Sequence, residues 1–283
     1  MGPNGSGKTT LLKILATEIS SRNAVRVLGH DKNTDLQRVR KKMAFAGDSP
    51  VHLEGLTGVE NAELFLDLYG LSRQDAESTL ESLFRSFGLS EVRDVPVSAY
   101  SHGMKKKLQL LESFVHHPEL MILDEPTLGL DPPGVEAFID CLTKGNNKPA
   151  CVVLATNDPL VAARVATSVV FLVDGSVIAR GEPEVLLDQL DRKVKVDIWV
   201  TGDTSGTISL EANGIVSMVH PGKITASMPS HAEPLPGLME SILNVGLEIS
   251  RVEITKPTLS DVFLLLTGRS LTESPRVGRS SPT

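Results

Sequence analysis

The chain is 283 residues long, 41% hydrophobic and 22% charged, with a formal net charge of −7. That size holds one large core, or one medium domain with a smaller one, and the composition is that of an ordinary globular protein. The negative balance repels phosphate backbones and argues against nucleic acid as a partner. Residues 1–184 alternate helix-like and strand-like segments, the pattern of an α/β domain with a mainly parallel sheet. A glycine-rich turn leads into residues 8–19, which read as an amphipathic helix with Leu11, Leu12, Ile14 and Leu15 apolar. Residues 25–28, closed by Gly29, and residues 43–46 read as short strands. From 58 to about 118, apolar residues recur three and four apart, which predicts a helical subdomain. Residues 119–124 form a buried strand by their length and flanks, and residues 150–156 and 169–172 repeat that pattern. Asp174-Gly175 marks a hairpin turn.

The pattern changes near Asp191. Residues 193–200 alternate strictly, with Val194, Val196, Ile198 and Val200 on one face. Strand-like pieces follow at 215–219, 223–228 and 247–254, with helical segments at 237–244 and 259–266. These predict a small C-terminal α+β domain over 193–268, for which a ferredoxin-like architecture is the working expectation. Residues 269–283, rich in Ser, Arg and Pro, are expected to be a disordered tail.

No apolar run reaches the roughly 18 residues that mark a spanning helix. The start lacks the basic and apolar regions of a signal peptide. Cys141 and Cys151 have no metal-ligand spacing and read as reduced thiols serving as small hydrophobes. A cytoplasmic protein is expected, held at any membrane by a partner.

Gly2-Pro3-Asn4-Gly5-Ser6-Gly7-Lys8-Thr9 matches the phosphate-binding loop G-x-x-x-x-G-K-[ST]. Glycines let backbone N–H groups converge on phosphate oxygens without interference from side chains. Lys8 adds a point charge at the β- and γ-phosphates, and Thr9 offers a hydroxyl to Mg²⁺. Thr10, next on the helix, is counted with the nucleotide-binding residues. The helix beginning here aims the positive end of its dipole at the phosphates. Alone, such a match also describes a glycine-rich turn capping a helix. The second motif, Leu120-Met121-Ile122-Leu123-Asp124-Glu125, is an apolar strand ending in two acids. Asp124 suits the Mg²⁺ shell, and Glu125, turned the other way, suits polarising the attacking water.

Between these motifs, Tyr100-Ser101-His102-Gly103-Met104-Lys105-Lys106-Lys107-Leu108 resembles the signature of ABC transporter ATPases, whose commonest form is L-S-G-G-Q. Ser101 and Gly103 match it. Asp131, in Gly129-Leu130-Asp131-Pro132, resembles the family's D-loop. The three lysines read as a solvated helix face. Residues 258–269, Thr-Leu-Ser-Asp-Val-Phe-Leu-Leu-Leu-Thr-Gly-Arg, are similar to the C-terminal end of the daunorubicin-resistance branch of drug exporters. Val262, Phe263 and Leu266 read as helix packing.

The resemblance implies a P-loop NTPase core, ATP and Mg²⁺ as cofactors, and Ser101 and Gly103 closing over ATP held by a second ATP-binding subunit. It implies a multi-span membrane permease as partner and a peripheral position at the inner face of the membrane. It also exposes two departures. The usual glutamine at the junction of core and helical subdomain is Asp48, which can still reach Mg²⁺. The usual switch histidine is Asn157, which can donate a hydrogen bond to the γ-phosphate but cannot carry charge. Members of the family also have strands and an adenine-stacking aromatic ahead of the loop. Only Met1 precedes it in this sequence, so the reading is a chain lacking its opening strands. The expected function is a transport ATPase. A regulatory module or degenerate subunit that binds ATP and rarely hydrolyses it is the alternative, motivated by Asp48, Asn157 and the missing opening strands. An ABC ATPase of DNA repair or translation fits poorly, because neither a long coiled-coil insertion nor a second ATPase domain is present.

Overall fold

A computed structural model describes residues 1–31, 34–144, 149–190, 193–202, 216–220, 222–229 and 234–271. Two compact units divide it. The first holds Met1–Val165 and Leu172–Val177, and the second holds Ala166–Phe171 and the described part of Ile178–Glu273.

The first unit opens on helix α1 (Lys8–Leu15), followed by β1 (Arg26–Val27), β2 (His30–Asp31), α2 (Leu36–Lys41) and β3 (Met43–Ala46). Next come α3 (Gly58–Tyr69), α4 (Arg73–Ser86), α5 (His102–Phe114), β4 (Leu120–Asp124), α6 (Pro132–Thr143), β5 (Cys151–Ala155) and α7 (Pro159–Val165). Strands β3, β4 and β5 form a parallel sheet with β4 at its centre. All five residues of β4 are buried. Its side chains alternate between two cores, as a strand covered on both faces requires. Leu120 and Ile122 join Leu12, Ala16, Val39 and Met43 on one side. Met121 and Leu123 join Leu66, Phe84, Leu111, Phe114 and Phe138 on the other. The sheet is therefore sandwiched between α1 and the helical residues 58–143.

Helix starts follow local chemistry. Thr57 and Glu60 form a capping box at α3, Ser72 caps α4, Ser101 caps α5, and Asp131 caps α6 ahead of Pro132. Each side-chain oxygen satisfies a backbone N–H that the helix leaves unpaired. Two expected elements are shorter than the sequence pattern. The helix expected over 8–19 stops at Leu15, because Thr17 takes φ 63° and is held there by Arg40, which donates to its hydroxyl and its carbonyl. The strand expected over 25–28 keeps only Arg26–Val27. Leu28 (φ 51°) and Gly29 (φ 79°) turn the chain into antiparallel β2.

Strands β6 (Val169–Val173) and β7 (Ser176–Gly181) form a two-stranded sheet. Asp174 (φ 48°) and Gly175 (φ 79°) supply the two positive φ values that a tight hairpin needs. The division between units runs through this hairpin, whose tip belongs to the first.

The second unit continues with α8 (Pro183–Leu187), β8 (Lys193–Thr201), β9 (Val216–His220), β10 (Lys223–Pro229), α9 (Pro234–Asn244), β11 (Glu248–Thr255) and α10 (Leu259–Thr267). The four strands make an antiparallel sheet in the order β11-β8-β10-β9. Val194, Val196, Ile198 and Val200 meet Ile224, Ala226 and Met228, and Leu238 and Ile242 of α9 close that core. Phe263 of α10 lies edge-on to Phe171, with ring centroids 5.5 Å apart. Ile215, expected to begin a strand, and residues 272–283 of the expected tail lie outside the described residues.

Candidate functional site

The phosphate-loop match forms a tight turn closed on itself and on the β6–β7 tip. The Ser6 N–H donates to the Pro3 carbonyl at 3.2 Å, and the Gly175 N–H donates to the Ser6 carbonyl at 3.0 Å. Gly2 has no room for a side chain, since a Cβ there would lie 2.1 Å from the Leu172 carbonyl oxygen. Gly7 precedes α1 at φ 99° and gives it no side-chain cap. The first-turn N–H groups of α1 are thus left for an anion, and no acidic side chain stands in that turn to compete. Asn4, Gly5, Thr9 and Thr10 are exposed around this turn, while Gly2 and Ser6 are buried.

Lys8 curls back over the loop. Its ammonium donates to the carbonyls of Gly2 at 2.5 Å and Pro3 at 3.2 Å, and stands 4.0 Å from Glu125 Oε1. Burial pushes the Lys8 pKa down, while Glu125 and Asp124 oppose that shift. The two acids leave β4 in different environments. Asp124 is 2% exposed, and its Oδ1 has no hydrogen-bond partner. Glu125 takes φ 44°, which swings the chain out of the strand, and its N–H donates to the Ala155 carbonyl. Burial raises the Glu125 pKa, which the Asn157 N–H and Lys8 resist and Asp124 reinforces. A raised pKa makes this carboxylate a better proton acceptor once ionised.

Asn157 is drawn into the same cluster. Its N–H donates to Glu125 Oε2 at 3.3 Å, its amide donates to Asn4 Oδ1 at 3.4 Å, and its own Oδ1 has no partner. The fold therefore unites Gly2–Thr9, Asp124, Glu125 and Asn157. Asp48 sits on the exposed turn after β3; burial lowers the pKa of Lys106, and the charges of Asp48, Asp124 and Glu125 oppose that shift.

Ser101 and Gly103 lie elsewhere. The Ser101 hydroxyl oxygen accepts from the Met104 N–H, and a Cβ on Gly103 would lie 3.1 Å from the Gly129 carbonyl. Their neighbours are α5 and the residues before α6, not the phosphate loop. Asp131 caps α6 and pairs with Lys107 at 2.8 Å, so the signature match and the D-loop match are locked together.

These contacts correct the reading of the three lysines as a solvated face. Lys106 is fully buried, and Lys105 pairs with Glu54 at 2.5 Å. Sequence spacing did not mark Lys106, because three consecutive helical residues point about 100° apart and only packing selects the buried one. A second unmarked feature is the His52–Glu112 pair, 3.2 Å apart with both side chains 1% exposed. Burial raises the Glu112 pKa, and His52 opposes that shift.

With this geometry in view, the likenesses to other proteins are consistent with one another. The ABC transporter family matches residues 1–128, which hold both the phosphate loop and the paired acids. The daunorubicin resistance ATP-binding protein DrrA3 of Streptomyces coeruleorubidus is 31% identical over 95% of this chain and 86% of its own length. The chain belongs to the ABC transporter family of ATP-binding proteins.

A second relative, the daunorubicin/doxorubicin resistance ATP-binding protein DrrA of Streptomyces peucetius, is 30% identical over 95% of this chain and 83% of its own. A solved ATP-binding subunit of an ABC transporter superposes with a TM-score of 0.61 at 30% identity, covering 68% of this chain and 80% of that one. The fold is that of the P-loop ABC ATPases, and this chain is an ATP-binding subunit of that ATPase family. No helix among the described residues is long and apolar enough to cross a membrane.

Proposed function

We propose that this ABC subunit hydrolyses ATP at the cluster of Lys8, Asp124, Glu125 and Asn157 and drives export through a separate multi-span permease at the inner face of the membrane. The observation that carries the reading is the convergence of Lys8, Asp124 and Glu125 on one loop, with Glu125 made basic by burial. Gly2–Thr10 bind the triphosphate through backbone N–H groups and the Lys8 ammonium. Asp124, with its unpartnered buried oxygen, and the exposed Thr9 hydroxyl suit a hard, oxygen-seeking dication, and Asp48 is a further candidate ligand. A Mg²⁺ ion held by these residues would supply positive charge against the phosphates. Glu125 orients a water and takes its proton as the new P–O bond forms and the β–γ bridge breaks. Asn157 steadies Glu125 from its backbone and presents its amide to the γ-phosphate. Ser101 and Gly103, remote from the chain's own loop, serve a second ATP-binding subunit. Export follows the drug-resistance names of the relatives.

The exposed Asp48 and uncharged Asn157 favour the second reading, an ATP-binding module with little hydrolysis. Steady-state phosphate release by the subunit with its permease decides between them. Turnover that falls when Glu125→Gln is introduced supports the transport ATPase. ATP binding without turnover supports the regulatory module. We also read residues 1–184 as the ATP-binding domain and 193–268 as a ferredoxin-like domain, a reading supported by the strand order of the second unit.

A further inference from the structure

Lys106 is fully buried, yet no carboxylate stands within 4 Å of its ammonium among the described residues. Its two hydrogen bonds go to backbone carbonyls, Gly47 at 3.0 Å and Asp48 at 3.1 Å. Both acceptors belong to the turn where β3 ends and the helical subdomain begins. The donor belongs to α5, the helix that Ser101 caps. Farther along the same helix, Gln109 donates to the Ser49 carbonyl at 3.2 Å, and Glu112 meets His52 at 3.2 Å. The chain from Gly47 to His52 thus runs along one face of α5 and is gripped at three successive points. At the first grip, burial lowers the Lys106 pKa, and the charges of Asp48, Asp124 and Glu125 oppose that shift. A buried ammonium that merely filled space would be replaced without loss by an apolar side chain of similar length. A buried ammonium with two carbonyls in its grasp fixes their positions.

We propose that Lys106 is a positioning residue for ATP hydrolysis, tying the Gly47–Asp48 turn to the signature helix so that Asp48 is presented to the nucleotide from α5. The inference rests on the ATPase reading above. Lys106 touches no nucleotide in this scheme. It acts through Asp48, and it links two parts of the site that the chain's own phosphate loop does not join.

The test is a double-mutant cycle in the full chain, reading phosphate release at saturating ATP, nucleotide affinity by titration, and thermal melting. Lys106→Met, similar in length and unable to donate, is expected to lower turnover about tenfold to a hundredfold, the range for a misplaced catalytic group. Nucleotide affinity is expected to stay within about twofold, because Lys8 and the loop are untouched. Lys106→Arg, which keeps two donors, is expected to stay within about threefold of wild type. In an Asp48→Ala background, Lys106→Met is expected to add no further loss of turnover, because its route is already removed. If Lys106→Met fails to fold, Lys106→Leu takes its place in the same cycle, since it too fills the space and cannot donate. Unchanged turnover in Lys106→Met overturns the proposal. So does an equal loss in both backgrounds, or a fall in affinity matching the fall in turnover. A wild type that binds ATP and releases no phosphate overturns the ATPase reading itself, an outcome distinct from an active wild type matched by an active Lys106→Met.

Discussion

Each unit buries one carboxylate among strand residues, and the two are treated in opposite ways. Asp197 of β8, 7% exposed, accepts from the Thr225 hydroxyl at 2.6 Å and pairs with Lys195 at 3.2 Å and Lys223 at 3.1 Å. Those partners, with the Thr225 bond foremost, lower its pKa to about 2. Asp124 of β4 is more deeply buried, at 2%, and keeps an oxygen with no partner. Ser6 Oγ and Asn157 Oδ1 of the same candidate site are likewise unpartnered. A satisfied buried acid supports the fold. An unsatisfied one keeps an oxygen available to a ligand. Trp199 sharpens the contrast, since Lys223 and Arg251 each lie 4.7 Å from its ring and complete a sheet face in which polar and aromatic groups are paired.

The largest test of that comparison is Glu125→Gln, expected to cut turnover by about 10²–10⁴ while leaving ATP binding intact. Equal activity in variant and wild type would remove Glu125 from the chemistry. Since burial raises the Glu125 pKa, its active ionised form is lost at a higher pH than for an ordinary glutamate. The acid limb of the turnover–pH profile is expected to shift upward accordingly, and a limb in the ordinary carboxylate range would contradict the assignment.

Asp124→Asn comes next. We expect turnover to fall at least about tenfold, with the melting temperature unchanged or raised, because the side chain altered has a buried oxygen that the fold leaves without a partner. A clear drop in melting temperature would make Asp124 a structural residue like Asp197. The reverse holds for Asp197→Asn, expected to cost the second unit about 1–2 kcal/mol and to leave turnover alone. The half-exposed Lys195 keeps the figure modest, because water screens its pairing. The folded pKa is depressed, so Asp197's contribution is present at neutral pH and lost as pH falls from about 4 toward about 2. Urea titration at two pH values checks this, and a pH-independent difference would count against the pairing.

The smallest expected effects are gains of a few fold in turnover for Asn157→His and Asp48→Gln. The first restores a group able to carry charge against the γ-phosphate, and the second keeps a side-chain oxygen where Asp48 presents one while removing its negative charge. A loss in both variants would show that the site has settled on its own geometry.

Much of the site was legible from linear spacing because its chemistry is local. A phosphate loop needs glycines, lysine and hydroxyl in eight consecutive residues, and two acids after four apolar residues place themselves at a strand end. The second unit's core was legible for the same reason: alternation along residues 193–200 is a local consequence of the pleat. Helix and strand limits were less legible. Thr17 and Leu28 adopt positive φ that their types disfavour, and at Thr17 a contact from Arg40, distant in sequence, holds it.

The amino-acid sequence by itself determined the match to a phosphate loop, the pair of acids at a strand end, the signature match and the alternating strand of the small unit, since each depends on neighbours a few residues apart. Only the tertiary structure decided which lysine of 105–107 is buried, that Asn157 would meet both Asn4 and Glu125, and that Asp131 would hold Lys107. It also decided that Asp197 is satisfied while Asp124 is not. Those outcomes depend on groups tens of residues apart, whose partners are set by how the sheet stacks its helices and not by any pattern along the chain.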